Sequence, residues 1–129
     1  MNVLVSALIS QDGGFLRSVF NKQRFTVLVS PELIGEFTEV VHRPRMRKYF
    51  TIPEAERAVA RLVGLSQALA KDPPVTAVSR DPKDDYLLAL AAKGNADLLI
   101  SGDDDLLVLK KHGRTRILTP TAFRMEFLA

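Results

Sequence analysis

Cysteine is missing from all 129 residues, which excludes disulfides and thiolate metal sites and fits a reducing compartment. No apolar run comes near the ~20 residues that a membrane-spanning helix needs. The opening residues MNVLVSALIS lack the positively charged start of a secretory signal. Repeats, low-complexity tracts and linkers are absent as well. Nor is one sign of charge in large excess: the net charge is +3, with 47% hydrophobic and 26% charged residues. That balance is ordinary for a folded chain and argues against disorder. What remains is one domain over residues 1–129, expected to be soluble, cytoplasmic and not membrane-bound.

A mildly basic surface permits a polyanionic partner without demanding one. The most basic stretch is His42-Arg43-Pro44-Arg45-Met46-Arg47-Lys48-Tyr49. It reads either as a solvated helix end and loop, or as an edge that contacts phosphates or an acidic protein segment. Elsewhere, short β-rich runs alternate with helical ones, the α/β signature. Strands are expected at 24–30, 75–78, 97–101 and 115–119, with helices at 14–22, 31–43, 53–71, 83–94, 104–111 and 120–128. Several helix starts are marked: Ser30-Pro31 and Thr119-Pro120 put a capping hydroxyl before a proline, and Thr51-Ile52-Pro53-Glu54 is a capping box. Gly94 and Gly113 stand where a left-handed helix terminator is wanted. The economical solution is a parallel sheet with helices on both faces, whose sites form at the carboxyl ends of strands.

One such end is ISGDDDLL, residues 100–107, where three carboxylates stand between apolar segments. Like charges about 4 Å apart repel by roughly 4 kcal/mol at an effective dielectric of ~20, unless they point apart into water or share a cation. Other acids gather at comparable places. On helix 31–43, Leu33, Ile34, Phe37, Val40 and Val41 form one stripe; Glu36 lies about 100° from its middle, Glu32 and Glu39 roughly 140–160°. In DPKDDYLL, residues 81–88, Asp84 is expected along the buried stripe of the following helix and Asp85 about 110° off it. Helix capping by Asp81, Asp84 or Asp103 would account for each acid singly. Taken together, Glu36, Asp84 and Asp103, with Asp105 joining from the first turn of its helix, suit a hard ion such as Mg²⁺ or Mn²⁺.

At these residues the chain resembles the PIN domain family, and within it the toxin components of toxin–antitoxin pairs. NVLVSALIS, SPELIGEFTEV, DPKDDYLLALA, ADLLISGDDDLL and RILTPTAF carry the likeness, in order, over nearly the whole chain. The resemblance implies a three-layer α/β/α fold around a parallel sheet, and an endoribonuclease dependent on Mg²⁺ or Mn²⁺. It implies Glu36, Asp84, Asp103 and Asp105 as catalytic metal ligands, and places Asn2 and Ser6 beside the substrate. Arg43, Arg45, Arg47 and Arg80 are the expected phosphate contacts. The implied partners are an RNA substrate, a small antitoxin protein and a second copy of the chain.

One departure stands out. The family opens with a strand ending in an aspartate, whereas this sequence starts Met1-Asn2. Two explanations compete: the natural protein is longer, or the chain is a degenerate member that holds metal poorly. For the sheet, three outcomes stay open: residues 3–8 replace the strand, they form a conventional first helix, or exposed edges pair two copies of the chain. A non-catalytic module binding an antitoxin or RNA is accordingly the second functional reading. A receiver-like signalling domain is the third and weakest, because it needs an acid pair after the first strand and a lysine after a late one. His42 and His112 are expected at helix ends, in contact with the dipole, with no partner at metal-ligand spacing.

Overall fold

The computed structural model describes residues 1–5, 19, 24–74 and 84–128. Six strands form one sheet: β1 (Asn2–Val5), β2 (Thr26–Val29), β3 (Gln67–Ala68), β4 (Leu98–Ile100), β5 (Lys111–His112) and β6 (Thr115–Leu118). Their spatial order is β3-β2-β1-β4-β6-β5. Every pairing is parallel except β5 with β6. The helices are α1 (Pro31–Val41), α2 (Ile52–Leu65), α3 (Asp85–Lys93), α4 (Asp104–Leu107) and α5 (Pro120–Phe123). A 3₁₀ segment, Pro44–Lys48, follows α1, and a π-type turn, Arg124–Leu128, continues α5. This is the mixed α/β architecture expected of a PIN-like fold, with a mostly parallel sheet.

The centre of the sheet is β1. Val3 is in register with Val27 on one side and Leu98 on the other. Val3, Leu4 and Val5 are each at most 1% exposed. Successive strand residues face opposite sides, so burial of all three means that both faces of the sheet are covered. The expected replacement of the first strand by residues 3–8 therefore takes the form of a strand at Asn2–Val5; Ser6–Leu8 lie outside the described residues. A salt-bridged clamp fixes its start. The backbone N–H of Asn2 donates to Asp97 Oδ2 at 2.8 Å, while Arg114 holds Asp97 Oδ1 at 2.6 Å. These two contacts, the Asn2 N–H above all, hold the Asp97 carboxyl below its usual range.

Helix starts follow the capping chemistry. Ser30 Oγ accepts from Leu33 N–H at 3.2 Å, and Thr119 Oγ1 from Ala122 N–H at 3.0 Å. At α2 both halves of the box are made, Glu54 N–H to Thr51 Oγ1 and Thr51 N–H to Glu54 Oε1. Replacing Thr51 by Ala should lower stability by about 1 kcal/mol, read as a lower urea midpoint at unchanged slope. An unchanged midpoint would show the box to be idle.

Other boundaries move. α2 stops at Leu65 rather than 71, and the freed residues form β3, which pairs with Leu28 and Val29. α4 ends at Leu107, and Lys111–His112 turn back on β6, so His112 sits in a strand and not at a helix end. Gly113 has the left-handed φ of 58° as expected, but in that hairpin. After α3 the left-handed residue is Asn95, with φ 53°, while Gly94 has φ −84°. Gly94 answers a different need: a Cβ there would stand 2.7 Å from Leu28 Cδ1. The expected helix at 14–22 and strand at 75–78 fall outside the described residues, apart from helical Val19.

Candidate metal centre

Parallel strands bring their carboxyl ends to one edge, and β4 ends there at Ile100. The next turn is built by two bonds. Buried Ser101 accepts the N–H of Asp103 through Oγ at 3.0 Å, and Asp103 Oδ1 accepts the N–H of Asp105 at 2.9 Å. Asp103 is thus the N-cap of α4. Capping uses one oxygen of its carboxylate and leaves the group its charge. Asp104 faces solvent, whereas Asp103 and Asp105 are half-buried.

Asp84 comes from the other side, at the start of α3. It makes no side-chain capping bond, and its Oδ2 is shut off from solvent. One carboxylate oxygen from each of Asp84, Asp103 and Asp105 lies within 4.8 Å of the other two. At such separations each pair of charges repels by roughly 3–4 kcal/mol at an effective dielectric of ~20. A shared divalent cation reverses the sign of that energy. Three carboxylates with no nitrogen or sulfur donor are the set that a hard ion prefers. The donor chemistry therefore fits Mg²⁺ or Mn²⁺.

The sequence-derived orientation on α3 is corrected in one respect. Asp85, expected off the buried stripe, is itself only 3% exposed, next to Asp84, whose Oδ2 is buried as expected. Asp85, Tyr86, Leu87, Leu88, Leu90 and Ala91 are all buried, so this helix lies in the interior and has no narrow stripe.

Glu36 is exposed on α1 and does not join the three aspartates within 4.8 Å. Its Oε2 accepts the hydroxyl of Tyr86, the second residue of α3. Burial first, then this bond to Glu36, pushes the Tyr86 hydroxyl well above the usual phenol range, so it stays a donor. Nearby, Asp72 Oδ1 accepts the N–H of Glu32 at 2.9 Å, and burial followed by Asp72 and Glu36 raises the Glu32 carboxyl. Tyr86 and Ser101 are the residues that sequence reasoning missed. The only signal for Tyr86 was its place two residues after Asp84.

The remaining expected contacts disperse. Asn2 lies at the opposite, amino end of β1, where its Nδ2 donates to Gly94 O at 3.2 Å. It is therefore removed from the acidic edge by the length of the strand. The basic stretch follows the carboxyl end of α1, which starts at the acidic edge and is 11 residues long, a span of about 16 Å. Within it Arg43 pairs with Glu39 at 3.3 Å, and Arg47 donates to Val41 O and packs over the Phe50 ring. Arg45 and Lys48 are the members left exposed. His42 terminates α1 with Nδ1 2.7 Å from Thr38 O, the helix-end role expected of it. Ser6, Arg80 and Asp81 lie outside the described residues.

Three aspartates gathered within 4.8 Å on a mostly parallel α/β sheet form a group that could hold a divalent ion. The sequence matches the PIN domain over residues 1–105, and the chain belongs to the PIN domain family. PIN domains are typically metal-dependent nucleases whose acidic residues bind divalent ions, and such a cluster is present here. No curated protein matches the chain. Among the described residues, no helix is long and apolar enough to cross a membrane.

Proposed function

We propose that this protein is a Mg²⁺- or Mn²⁺-dependent endoribonuclease, the toxin of a toxin–antitoxin pair acting in the cytoplasm. The observation that carries the nuclease reading is the convergence of Asp84, Asp103 and Asp105 from two separate segments within 4.8 Å. A divalent ion bound there supplies an activated water and offsets the charge that develops on a phosphodiester under attack. Asp84, Asp103 and Asp105 would hold it, and the turn made by Ser101 keeps two of them in register. Glu36, tied to Tyr86, is the further metal ligand that the family likeness suggests, although it stands outside the group of three. Arg45 and Lys48, about 16 Å along α1, suit phosphates several nucleotides from the cut, and their contribution should fall with salt. The likeness of the motifs to toxin components supports an antitoxin partner, a small acidic protein, and a second copy of the chain is the other proposed partner.

One feature favours the non-catalytic reading. The central strand, Asn2–Val5, carries no carboxylate, whereas the family's first strand ends in one. Incubation with labelled single-stranded RNA and DNA, in Mg²⁺, Mn²⁺ or EDTA, decides between the two. RNA cleavage that needs the ion and fails in EDTA is the expected result. Intact RNA under all conditions, with RNA or antitoxin still bound, would replace the enzyme by a binding module.

A further inference from the structure

Tyr49 is the odd ring of this chain. Among the described residues every other aromatic side chain is buried or half-buried, whereas Tyr49 is 41% exposed. A ring buries much apolar area when it enters a core, so one left in water forgoes a large gain. It closes the 3₁₀ segment Pro44–Lys48, in which positions three apart eclipse. Arg45 and Lys48 therefore stand on one side of that segment, roughly 6 Å apart along its axis, and both are exposed. Lys48 Nζ lies 5.2 Å from the centre of the Tyr49 ring, which puts cation and ring in one surface. These charges go largely unanswered. Of Arg43, Arg45, Arg47 and Lys48, only Arg43 has a carboxylate partner among the described residues, Glu39. Arg47 spends Nη2 on Val41 O, while its Nε and Nη1 are shut off from solvent with no hydrogen-bond partner among the described residues. A guanidinium in such a place is costly without a counter-charge, so an anion bound over the segment would be stabilising. An acidic protein segment would answer the cations and leave the ring unused. A single-stranded nucleic acid uses both, since phosphates suit the cations and every base has a face that stacks on an aromatic ring. In a duplex those faces are already covered by neighbouring bases.

We infer that Tyr49 is a base-stacking platform for single-stranded RNA, with Arg45 and Lys48 holding the phosphates next to the stacked nucleotide. The inference rests on the proposed function in taking RNA as the polymer. It adds where the strand lies and that its bases are unpaired there. The platform follows the carboxyl end of α1, about 16 Å from where that helix starts. It therefore grips a nucleotide remote from any bond cut at the aspartates.

The test is fluorescence anisotropy of labelled oligouridylate with the intact chain in EDTA, where binding is read without cleavage. The comparison probes are an abasic ribose-phosphate chain of equal length, an RNA duplex and a polyglutamate peptide. The variants are Tyr49→Ala, Tyr49→Phe and Arg45→Gln combined with Lys48→Gln, each checked for folding by thermal unfolding. Tyr49→Ala is expected to weaken oligouridylate binding on the order of tenfold, the scale of one lost base stack, and to leave the abasic chain unaffected. Tyr49→Phe keeps the ring and should bind as the native protein does. The paired glutamine variant should weaken every polyanion and reduce the log–log salt slope by about 1.4, the value for two phosphates of a single strand. Equal losses on oligouridylate and the abasic chain, or no loss on either, would overturn the inference. So would a duplex bound as tightly as the single strand, or no binding of oligouridylate by the native chain. Polyglutamate bound as tightly as RNA would also overturn it and assign the surface to an acidic protein segment. Should Tyr49→Ala fail to fold, the native protein decides through tyrosine emission, since the chain has two tyrosines, one of them the buried Tyr86, and no tryptophan. Quenching by oligouridylate and not by the abasic chain supports the platform, and equal emission with both overturns it. If this signature appears but no RNA is cut with Mg²⁺ or Mn²⁺, the inference stands and the enzyme reading falls. If RNA is cut while Tyr49→Ala binds as the native protein does, the enzyme reading stands and the inference falls.

Discussion

Asp103→Asn should abolish divalent-ion binding while leaving the fold intact. The carboxylate has two separable duties. Oδ1 accepts the N–H of Asp105 at the start of α4, and the group's charge belongs to the cluster with Asp84 and Asp105. Asparagine caps helices about as well as aspartate, so the first duty survives the substitution. The second does not. Losing an outer partner of a metal ligand costs 10–100-fold, so losing a direct donor should cost more than ~100-fold in Mn²⁺ affinity and in nuclease rate. Thermal unfolding gives an internal check on sign. In EDTA the variant should match or exceed the native protein, because one of three mutually repelling charges is gone. With Mn²⁺ added the order should invert, because an ion that binds only the folded native protein stabilises it by mass action. Asp103→Ala should differ by also losing the cap, about 1 kcal/mol. A Mn²⁺-induced rise in melting temperature that persists in Asp103→Asn would remove Asp103 from the site.

Phe123→Ala carries the largest expected loss of stability. Phe123 is fully buried, with its ring centroid 5.3 Å from Phe25 and 5.3 Å from Phe127. Phe25 and Phe127 meet edge-on at 6.2 Å, closing a three-ring cluster. It joins the residue before β2 to the end of the chain's last helical segment, and Arg24 extends over it to the carbonyl of Phe127. Removing the middle ring loses the transfer energy of the side chain and opens a cavity, together about 3–5 kcal/mol. Aromatic pairing adds roughly 0.5–1.5 kcal/mol per pair to what is lost. Against the ~5–15 kcal/mol that hold a domain of this kind together, the variant should be marginal at 37 °C. Urea unfolding measures it. A midpoint within error of the native one would show that the ring is replaceable by its neighbours.

Local chemistry was the most legible part of the fold. Ser30, Thr51 and Thr119 each cap the helix they announce, because a cap is settled within four residues. Elements settled by distant partners were less legible. β3 is two residues long and exists because Leu28 and Val29 offer an open edge. The Lys111–His112 strand depends in the same way on β6. Residues 3–8 were compatible with strand or helix, and only the vacancy between β2 and β4 decides for a strand at Asn2–Val5. In the site, three of the aspartates that the motifs singled out converge within 4.8 Å. The periodicity argument buried the Asp84 carboxylate rightly but set Asp85 off the buried side, since a helix buried on most sides has no single inward direction. Glu36 was singled out by its position near the core edge, yet it stays outside the group of three, and its contact with Tyr86 belongs to tertiary packing and leaves no trace in spacing.

The central place of β1 bears on how the chain acquires its fold during synthesis. Residues 2–5 are made long before one of their two lateral neighbours, β4, which follows directly on Asp97, 95 residues after Asn2. Until then a strand with three fully apolar side chains has only β2 to pair with. Closing so long a loop is slow, and contacts of such separation delay productive folding. The nascent segment before β4 must therefore keep its hydrophobic surface out of trouble until β4 is made, and the carboxylate cluster can assemble only once Asp105 has joined it.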